Sequence, residues 1–199
     1  MFGLKVWAIL TGCKFQYIIQ RDGKTKWQAT AKYNPQTNEF AEHANNPNAG
    51  FQNVWNVPWP DVGGGGKKSL TNNQLFCRMC AWEDENYLLA ASSKGVSDKH
   101  KTNGIVDNHA YTIIDCQYDV AGTGIDLIQL RNPWGYGGEI EKGIFADNGV
   151  GWKKYPEITK VLKPIFADDG IFWMTKDEFF KHFETVWLSA KNMSQFLKD

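Results

Sequence analysis

Alternation of hydrophobic and polar residues predicts β-strands over much of this chain. The strands are predicted at residues 4–10, 15–19, 27–33, 87–92 and 185–189. Turn-forming residues bound these segments, for example at residues 21–24 between the second and third strands. The pattern is typical of a sheet whose neighbouring strands run antiparallel and are joined by short turns.

Two short helices are predicted, each starting at a capping box in which a threonine precedes Gln or Glu by three residues. Thr71 with Gln74 opens a helix at about residues 72–83, and Thr175 with Glu178 opens a second. Hydrophobic residues fall on one face of each helix: Leu75, Phe76, Met79 and Cys80 in the first, Phe179, Phe180 and Phe183 in the second. Because strands dominate, we expect one α+β domain over residues 1–199, built on an antiparallel sheet.

Two stretches follow neither pattern and are predicted to be loops. Residues 34–68 are polar and rich in turn-forming residues, and residues 93–104 are charged.

Four consecutive glycines, residues 63–66, precede Lys67, Lys68 and Ser69 and suggest a phosphate-binding loop. That motif needs a glycine directly before the Lys-Ser pair, and Lys67 stands there instead. The glycines therefore predict a flexible surface loop.

Charge and hydropathy exclude several classes of protein. The 199 residues include 22 basic and 22 acidic side chains, so no basic surface for nucleic acid or anionic membrane is expected. No hydrophobic run approaches the ~20 residues of a transmembrane segment. Residues 10–13 resemble a lipoprotein cleavage site, yet the apolar run before them is shorter than the roughly 7–15 residues of a signal-peptide core. A buried strand is favoured there over a lipid anchor at Cys13.

Cysteine usage predicts a reducing compartment. Four cysteines, Cys13, Cys77, Cys80 and Cys116, are too few for a disulfide-based fold of this length. Cys77 and Cys80 have the spacing of half a zinc site, but no second Cys/His pair accompanies them and both fall in the first predicted helix. A reduced, cytoplasmic protein is therefore predicted.

His109 and Asn132 are candidate catalytic residues because a predicted hairpin brings them together. His109 precedes one hydrophobic strand, Asn132 follows another, and residues 119–124 between them form a turn. If the loop consists of residues 120–123, His109 lies opposite Trp134 and on the same face as Asn132; an odd loop length would put the pair on opposite faces. An imidazole oriented by an amide oxygen is the base that a nucleophilic cysteine needs, and Trp134 is predicted to cover their hydrogen bond.

A histidine at the start of a strand is by itself more often structural, but the surrounding motifs resemble the histidine-bearing half of the calpain protease core. His-Ala-Tyr at residues 109–111, Leu-Arg-Asn-Pro-Trp-Gly at residues 130–135 and Asp-Gly-Ile-Phe-Trp-Met at residues 169–174 share that family's order and spacing. The resemblance is clear over residues 70–190 and weak over residues 1–69. It implies a papain-like second lobe, a twisted antiparallel sheet or half-barrel flanked by a few short helices.

The family's nucleophile has no counterpart here, since it lies in a Gln-Gly-x-x-Gly-Asp-Cys-Trp segment and none of the four cysteines precedes a tryptophan. Cys116 is on the predicted strand of His109, roughly 23 Å away. The resemblance thus implies the His/Asn half of an intracellular cysteine endopeptidase that cleaves protein or peptide substrates. This half is expected to be inactive alone and to be completed by a Cys-bearing subdomain of the same parent protein. The alternative is a degenerate calpain-like binding or scaffolding module without catalysis.

One calcium ion is also implied by the resemblance. Family members bind Ca²⁺ through acidic side chains after Asn-Pro-Trp-Gly and around Asp-Gly-x-Phe-Trp, and Glu139, Asp147 and Asp169 take those places here. Ile171 stands where the family usually has an acidic residue, and residues 136–138 alter the loop, so a solvated acidic loop is the alternative. No organic cofactor is expected.

Overall fold

The computed structural model describes residue 7 and residues 10–13, 15–34, 39–40 and 69–196. The chain divides into two compact units, a first unit of Met1–Leu89 with Thr185–Asp199 and a second unit of Ala90–Glu184. The predicted glycine-rich loop and most of the first predicted strand lie outside the described residues. None of the helices in the described part of the chain has the length and apolarity of a membrane span.

The protein has an α+β fold with a mostly antiparallel sheet and a few short helices, as predicted. The strands in chain order are β1 (Gln16–Asp22), β2 (Lys26–Asn34), β3 (Glu39–Phe40), β4 (Leu70–Thr71), β5 (Leu88–Ser93), β6 (Lys101–Thr102), β7 (Ile105–Val106), β8 (Ala110–Gln117), β9 (Leu127–Arg131), β10 (Ile171–Thr175) and β11 (Phe183–Ser189). The helices are α1 (Asn72–Asp84), α2 (Gly151–Lys154), α3 (Pro156–Leu162) and α4 (Lys176–His182), with 3-10 turns at Val120–Gly122 and Ser194–Phe196.

In the first unit, β1 and β2 form an antiparallel hairpin, and β1 also pairs antiparallel with β11. The capping box that opens α1 is present: the Gln74 N–H donates to Thr71 Oγ1 at 3.3 Å, and the Thr71 N–H donates to Gln74 Oε1 at 3.0 Å. These bonds satisfy N–H groups that a helix start leaves unpaired. Leu75, Phe76 and Met79 are buried as the helical spacing predicted.

The first predicted strand is wrong where the structure describes it. The backbone is helical at Trp7, Leu10 and Thr11. The Thr11 hydroxyl donates to the Trp7 carbonyl oxygen four residues earlier at 2.5 Å, which is a hydrogen bond that a helix makes available and a strand does not. At these three residues the backbone is therefore helical and not extended.

The second unit contains a hairpin in the stretch 93–104, which was predicted as a loop. β6 and β7 pair antiparallel across Asn103 and Gly104, both of which have positive φ angles. Asn-Gly is the preferred sequence for this two-residue turn. The buried side chains of Ile105 and Val106 hold the hairpin against the unit. The Asn-Gly pair could have predicted this hairpin from the sequence, but the many charged residues of the stretch favoured a loop.

One hydrophobic core cluster of the second unit includes residues of β9 and β10. Its buried members are Val120, Leu127, Phe145, Trp152, Ile158 and Trp173. Helices α2 and α3 supply Trp152 and Ile158, so both short helices pack against this cluster. Burial of such aromatic and aliphatic side chains contributes about 1.5–3 kcal/mol each.

The register between β8 and β9 changes along the hairpin. Near the turn, Gln117 pairs with Leu127 and Asp115 with Gln129, but a bulge between Ile113 and Asp115 shifts the next pairs to Ile113 with Leu130 and Thr112 with Arg131. The condition of a four-residue loop is not met, because β8 ends at Gln117 and β9 begins at Leu127. The extra residue of the bulge nevertheless returns the far end of the hairpin to the predicted register.

Candidate active site

The side chains of His109 and Asn132 meet at the end of the hairpin. His109 Nε2 lies 2.9 Å from Asn132 Oδ1, with His109 directly before β8 and Asn132 directly after β9. Without the bulge, the register near the turn would continue and place the two residues on opposite faces of the hairpin. The one-residue bulge at Ile114 is therefore what brings the pair onto one face.

The carboxamide of Asn132 is held in a single orientation. Its Nδ2 donates to the carbonyl oxygens of Tyr136 at 3.1 Å and Gly137 at 2.8 Å, and its Oδ1 accepts from the Trp134 N–H at 3.1 Å. Because both amide protons are engaged by carbonyls, the atom facing His109 is an acceptor. The Nε2 of His109 therefore carries a hydrogen, and Nδ1 is the ring nitrogen left to take up a proton.

Two glycines allow the backbone to approach Asn132 closely. A Cβ at Gly138, whose φ is +70°, would lie 2.5 Å from Asn132 Nδ2 and 3.0 Å from the Tyr111 hydroxyl oxygen. At Gly170 the carbonyl accepts from the Asn132 N–H at 2.8 Å, and a Cβ would lie 3.1 Å from the Asn132 carbonyl oxygen. Glycine avoids both the strain of the positive φ and the close contact, and Asn132, approached from two sides, is fully buried.

Trp134 packs against His109. The ring centroids are 4.6 Å apart at an interplanar angle of 51°, and the indole itself is partly exposed. The Trp134 backbone N–H donates to the same Asn132 oxygen that the imidazole contacts. The indole thus packs beside the imidazole that contacts Asn132.

Ser93 and Tyr111 support His109 and were not predicted as site residues. The Ser93 hydroxyl accepts from the His109 N–H at 3.0 Å and donates to the Val106 carbonyl oxygen at 2.6 Å, while the Ser93 N–H donates to the His109 carbonyl oxygen at 3.0 Å. Nothing in the local pattern marks a serine sixteen residues before His109 as its partner, and only the pairing of distant segments reveals it.

Tyr111 links the histidine segment to the loop after Asn132. Its hydroxyl accepts from the Val106 N–H at 2.9 Å and donates to the Gly138 carbonyl oxygen at 2.8 Å. Its ring meets the His109 ring edge-on, with centroids 5.2 Å apart. Burial raises the pKa of Tyr111 to about 12, so the hydroxyl keeps its proton as a donor. The i+2 spacing from His109 was a signal for a shared face, but not for this role.

Cys116 is the one cysteine in the second unit, and it is not near His109 along the hairpin. It pairs with Ile128 towards the turn end of β8, whereas His109 precedes the opposite end. All four cysteines are described and are thiols. Cys77 and Cys80 lie on α1, as predicted.

The predicted calcium ligands lie in an electrostatically unfavourable acidic region. Burial first, and then the charge of Asp147, raises the pKa of Glu139 to about 7, and Asp168 and Asp169 act in the same direction. Burial and Asp169 likewise raise the pKa of Asp147. Glu139 Oε1 is buried with no hydrogen-bond partner in the protein. These features fit a cation, which would satisfy the oxygen and offset the charge.

The charge of the acidic region fits a cation, but the positions of its side chains fit a metal centre less well. Among the described residues, no three His, Cys, Asp or Glu side chains converge to hold a metal ion. Asp169 Oδ1 accepts from the Ile171 N–H at 2.8 Å, and Asp168 Oδ1 accepts from the Gly137 N–H at 2.7 Å. Asp168 therefore anchors the loop that holds Asn132, a role that the sequence did not predict.

The fold and the His-Asn pair define a papain-like lobe, and comparison with known proteins gives its family. The calpain family cysteine protease domain matches residues 36–190, so the chain belongs to the calpain family of cysteine proteases. It is 31% identical over 121 residues to the calpain-type cysteine protease DEK1 of Zea mays, covering 60% of this chain and 5% of that protein. It is 33% identical over 96 residues to calpain-5 of Mus musculus, covering 41% of this chain and 14% of that protein. The chain thus spans a small part of these relatives.

Proposed function

We propose that this chain is the histidine/asparagine half of a calpain-like cysteine endopeptidase. In it, His109 is the general base and acid, Asn132 orients the imidazole, and Trp134 shields their hydrogen bond. The observation that carries the proposal is the 2.9 Å contact between His109 Nε2 and Asn132 Oδ1, made by an Asn132 whose other polar atoms are all engaged. Membership of the calpain family supports a protein substrate.

The proposed reaction uses the ring nitrogen that Asn132 leaves available. His109 Nδ1 accepts the proton of a cysteine thiol as the sulfur bonds to the peptide carbonyl carbon. The same nitrogen returns that proton to the amine as the C–N bond breaks, which leaves a thioester on the cysteine. Water then attacks the thioester, releases the second peptide and restores the thiol. The Asn132 oxygen stabilises the imidazolium that forms during each transfer.

The cysteine is proposed to come from another subdomain of the same parent protein. The position of Cys116 towards the far end of β8 and the absence of a Cys-Trp sequence in the chain support this division of the site. Without that subdomain, the chain is expected to be inactive, because the covalent route requires the thiolate. We propose a cytoplasmic location, in which the four thiols remain reduced.

The parent protein provides the test. We expect a Gln-Gly-x-x-Gly-Asp-Cys-Trp segment upstream of residue 1 and hydrolysis of casein by the full-length protein. His109→Ala should lower the rate by at least about 10³-fold, whereas the control His100→Ala, at an exposed position, should leave it unchanged. Ser, Gly or Lys in place of the cysteine would instead favour a non-catalytic binding or scaffolding module, and activity that survives His109→Ala would refute the role proposed for His109.

We also propose that the acidic region binds one Ca²⁺ through Glu139, Asp147 and Asp169. The unpartnered Glu139 oxygen and the raised pKa values of Glu139 and Asp147 support this, and binding requires the three carboxylates to converge. Millimolar Ca²⁺ should release or absorb heat in calorimetry and raise the melting temperature. Glu139→Gln should remove both effects and Glu141→Gln, at an exposed neighbouring position, should keep them. No heat and no stabilisation in the unsubstituted protein would end the proposal.

A further inference from the structure

A second polar site lies in the second unit, away from the His109–Asn132 contact. It is a cavity of about 190 Å³ whose walls include Ser93, Lys94, Asp107, Lys181 and His182. Cavities that hold drug-sized ligands are typically about 300–1,000 Å³. The space here suits a ligand of only a few heavy atoms.

His182 lines this cavity and has a ring nitrogen without a hydrogen-bond partner. The residue ends α4, is 6% exposed, and its Nε2 is buried with no hydrogen-bond partner in the protein. A buried polar nitrogen without a partner lowers stability, because it has lost its bonds to water and gained none. This nitrogen has almost no accessible surface, so a ligand in the cavity would recover that loss once the imidazole turns towards it.

The charges around the cavity favour an anion. Lys94 and Lys181 bring two positive charges and Asp107 brings one negative charge. Lys94 Nζ donates to the Lys181 carbonyl oxygen at 2.5 Å, which fixes one ammonium group at the cavity wall. Burial, and then the charges of Lys181 and Lys94, lower the pKa of His182. The charges of Glu178 and Asp107 act in the opposite direction but do not cancel this shift. An anion beside the ring would favour the protonated form, in which both ring nitrogens donate.

We propose that this cavity is a binding site for a small oxyanion, either a carboxylate or a phosphate group. The oxyanion accepts a hydrogen bond from the His182 imidazole and is attracted by Lys94 and Lys181. Ser93 connects this site to the rest of the unit, because its side chain forms part of the cavity wall and its hydroxyl bonds the His109 backbone. An oxyanion bound in the cavity is therefore expected to reduce the motion of the backbone at His109.

Nuclear magnetic resonance of the histidine rings tests the site directly, since the chain has four histidines. The 199-residue chain is titrated separately with inorganic phosphate and with acetate, against sodium chloride at matched ionic strength. We expect a saturable shift of the His182 ring signals with at least one oxyanion, and the stronger binder identifies the ligand as phosphate or carboxylate. No saturation by about 50 mM of either anion, or an equal shift with chloride, would overturn the proposal.

Substitutions locate the binding. His182→Gln should weaken binding by at least about tenfold, because a hydrogen bond to a charged group is lost; here binding is followed through the backbone signals of Lys94 and Asp107. Lys181→Gln should weaken it by about twofold to fivefold, as befits an exposed charge. Lys153→Gln makes the same charge change at an exposed position of α2 outside the cavity and should have no effect. If His182→Gln does not fold, the comparison of Lys181→Gln with Lys153→Gln is the test. Equal anion affinities for these two variants would refute the site.

Discussion

Around Asn132 every polar atom has a partner within the chain, whereas around Glu139 a carboxylate oxygen is buried without one and like charges lie nearby. Both regions belong to the second unit. The first needs no added ligand to hold its geometry, because backbone carbonyls and N–H groups fix the carboxamide. The second retains an electrostatic cost that only protonation or a cation relieves. The two regions should therefore respond to substitution with opposite signs.

The largest effect should come from Asn132→Ala. The substitution removes the partner of the Trp134 N–H and of the Tyr136 and Gly137 carbonyls, all of which are part-buried. We expect the free energy of unfolding to fall by about 3 kcal/mol, measured by urea denaturation. Asn73→Ala, at an exposed position of α1, is the control and should change it by less than about 0.5 kcal/mol. Equal stabilities for the two variants would show that the Asn132 network does not hold the loop.

The next effect separates close packing from backbone strain. Gly138→Ala places a methyl group against Asn132 Nδ2, whereas Gly135 has a similar positive φ of +77° and nothing within 4 Å of an added Cβ. Gly135→Ala should lower the free energy of unfolding by about 1 kcal/mol through φ strain alone. Gly138→Ala should lower it by about 2–3 kcal/mol. If thermal melting gives the same free energy of unfolding for both variants, the close contact with Asn132 adds nothing to the cost of φ strain.

Tyr111→Phe should have a smaller effect of the same sign. It leaves the buried Val106 N–H and the Gly138 carbonyl without the hydroxyl that joins them. We expect a loss of about 1–2 kcal/mol in denaturant unfolding. Tyr118→Phe, at an exposed position, is the matched control and should be neutral. A neutral Tyr111→Phe would mean that the histidine segment and the loop after Asn132 are held together without this bridge.

The smallest effect, Glu139→Gln, should have the opposite sign. The pKa of Glu139 is raised from 4.5 to about 7, so the protonated form favours folding; this contribution is present below about pH 4.5 and is lost as the pH rises through 7. Above pH 7, in buffer with a calcium chelator, Glu139→Gln should therefore stabilise the protein by about 1 kcal/mol after solvent screening. The gain should vanish near pH 4, and Glu141→Gln should show none at either pH. Destabilisation by Glu139→Gln above pH 7 would remove the contrast between the two regions.

Local signals in the sequence were sufficient for the elements that depend on local chemistry. The capping boxes at Thr71 and Thr175 open helices where predicted, because the bonds involved span only three residues. The Asn-Gly turn between β6 and β7 was equally local, and it was missed because the surrounding charge was taken to indicate a loop. The first predicted strand failed because a short apolar run does not distinguish a strand from a helix.

Sequence patterns were enough to predict the α+β class, the two capped helices and the motifs that place the chain in the calpain family. They were also enough to predict that His109 and Asn132 flank adjacent strands, because hydrophobic alternation and a turn between the strands are sufficient for a hairpin. That the two residues meet on one face follows from the tertiary structure alone. That outcome depends on a bulge at Ile114, which corrects a register set by a longer turn, and a one-residue shift leaves no clear mark in a hydrophobic pattern. The supports from Ser93, Tyr111 and Gly138 were likewise decided by contacts between segments distant in the chain, whose energies no local pattern encodes.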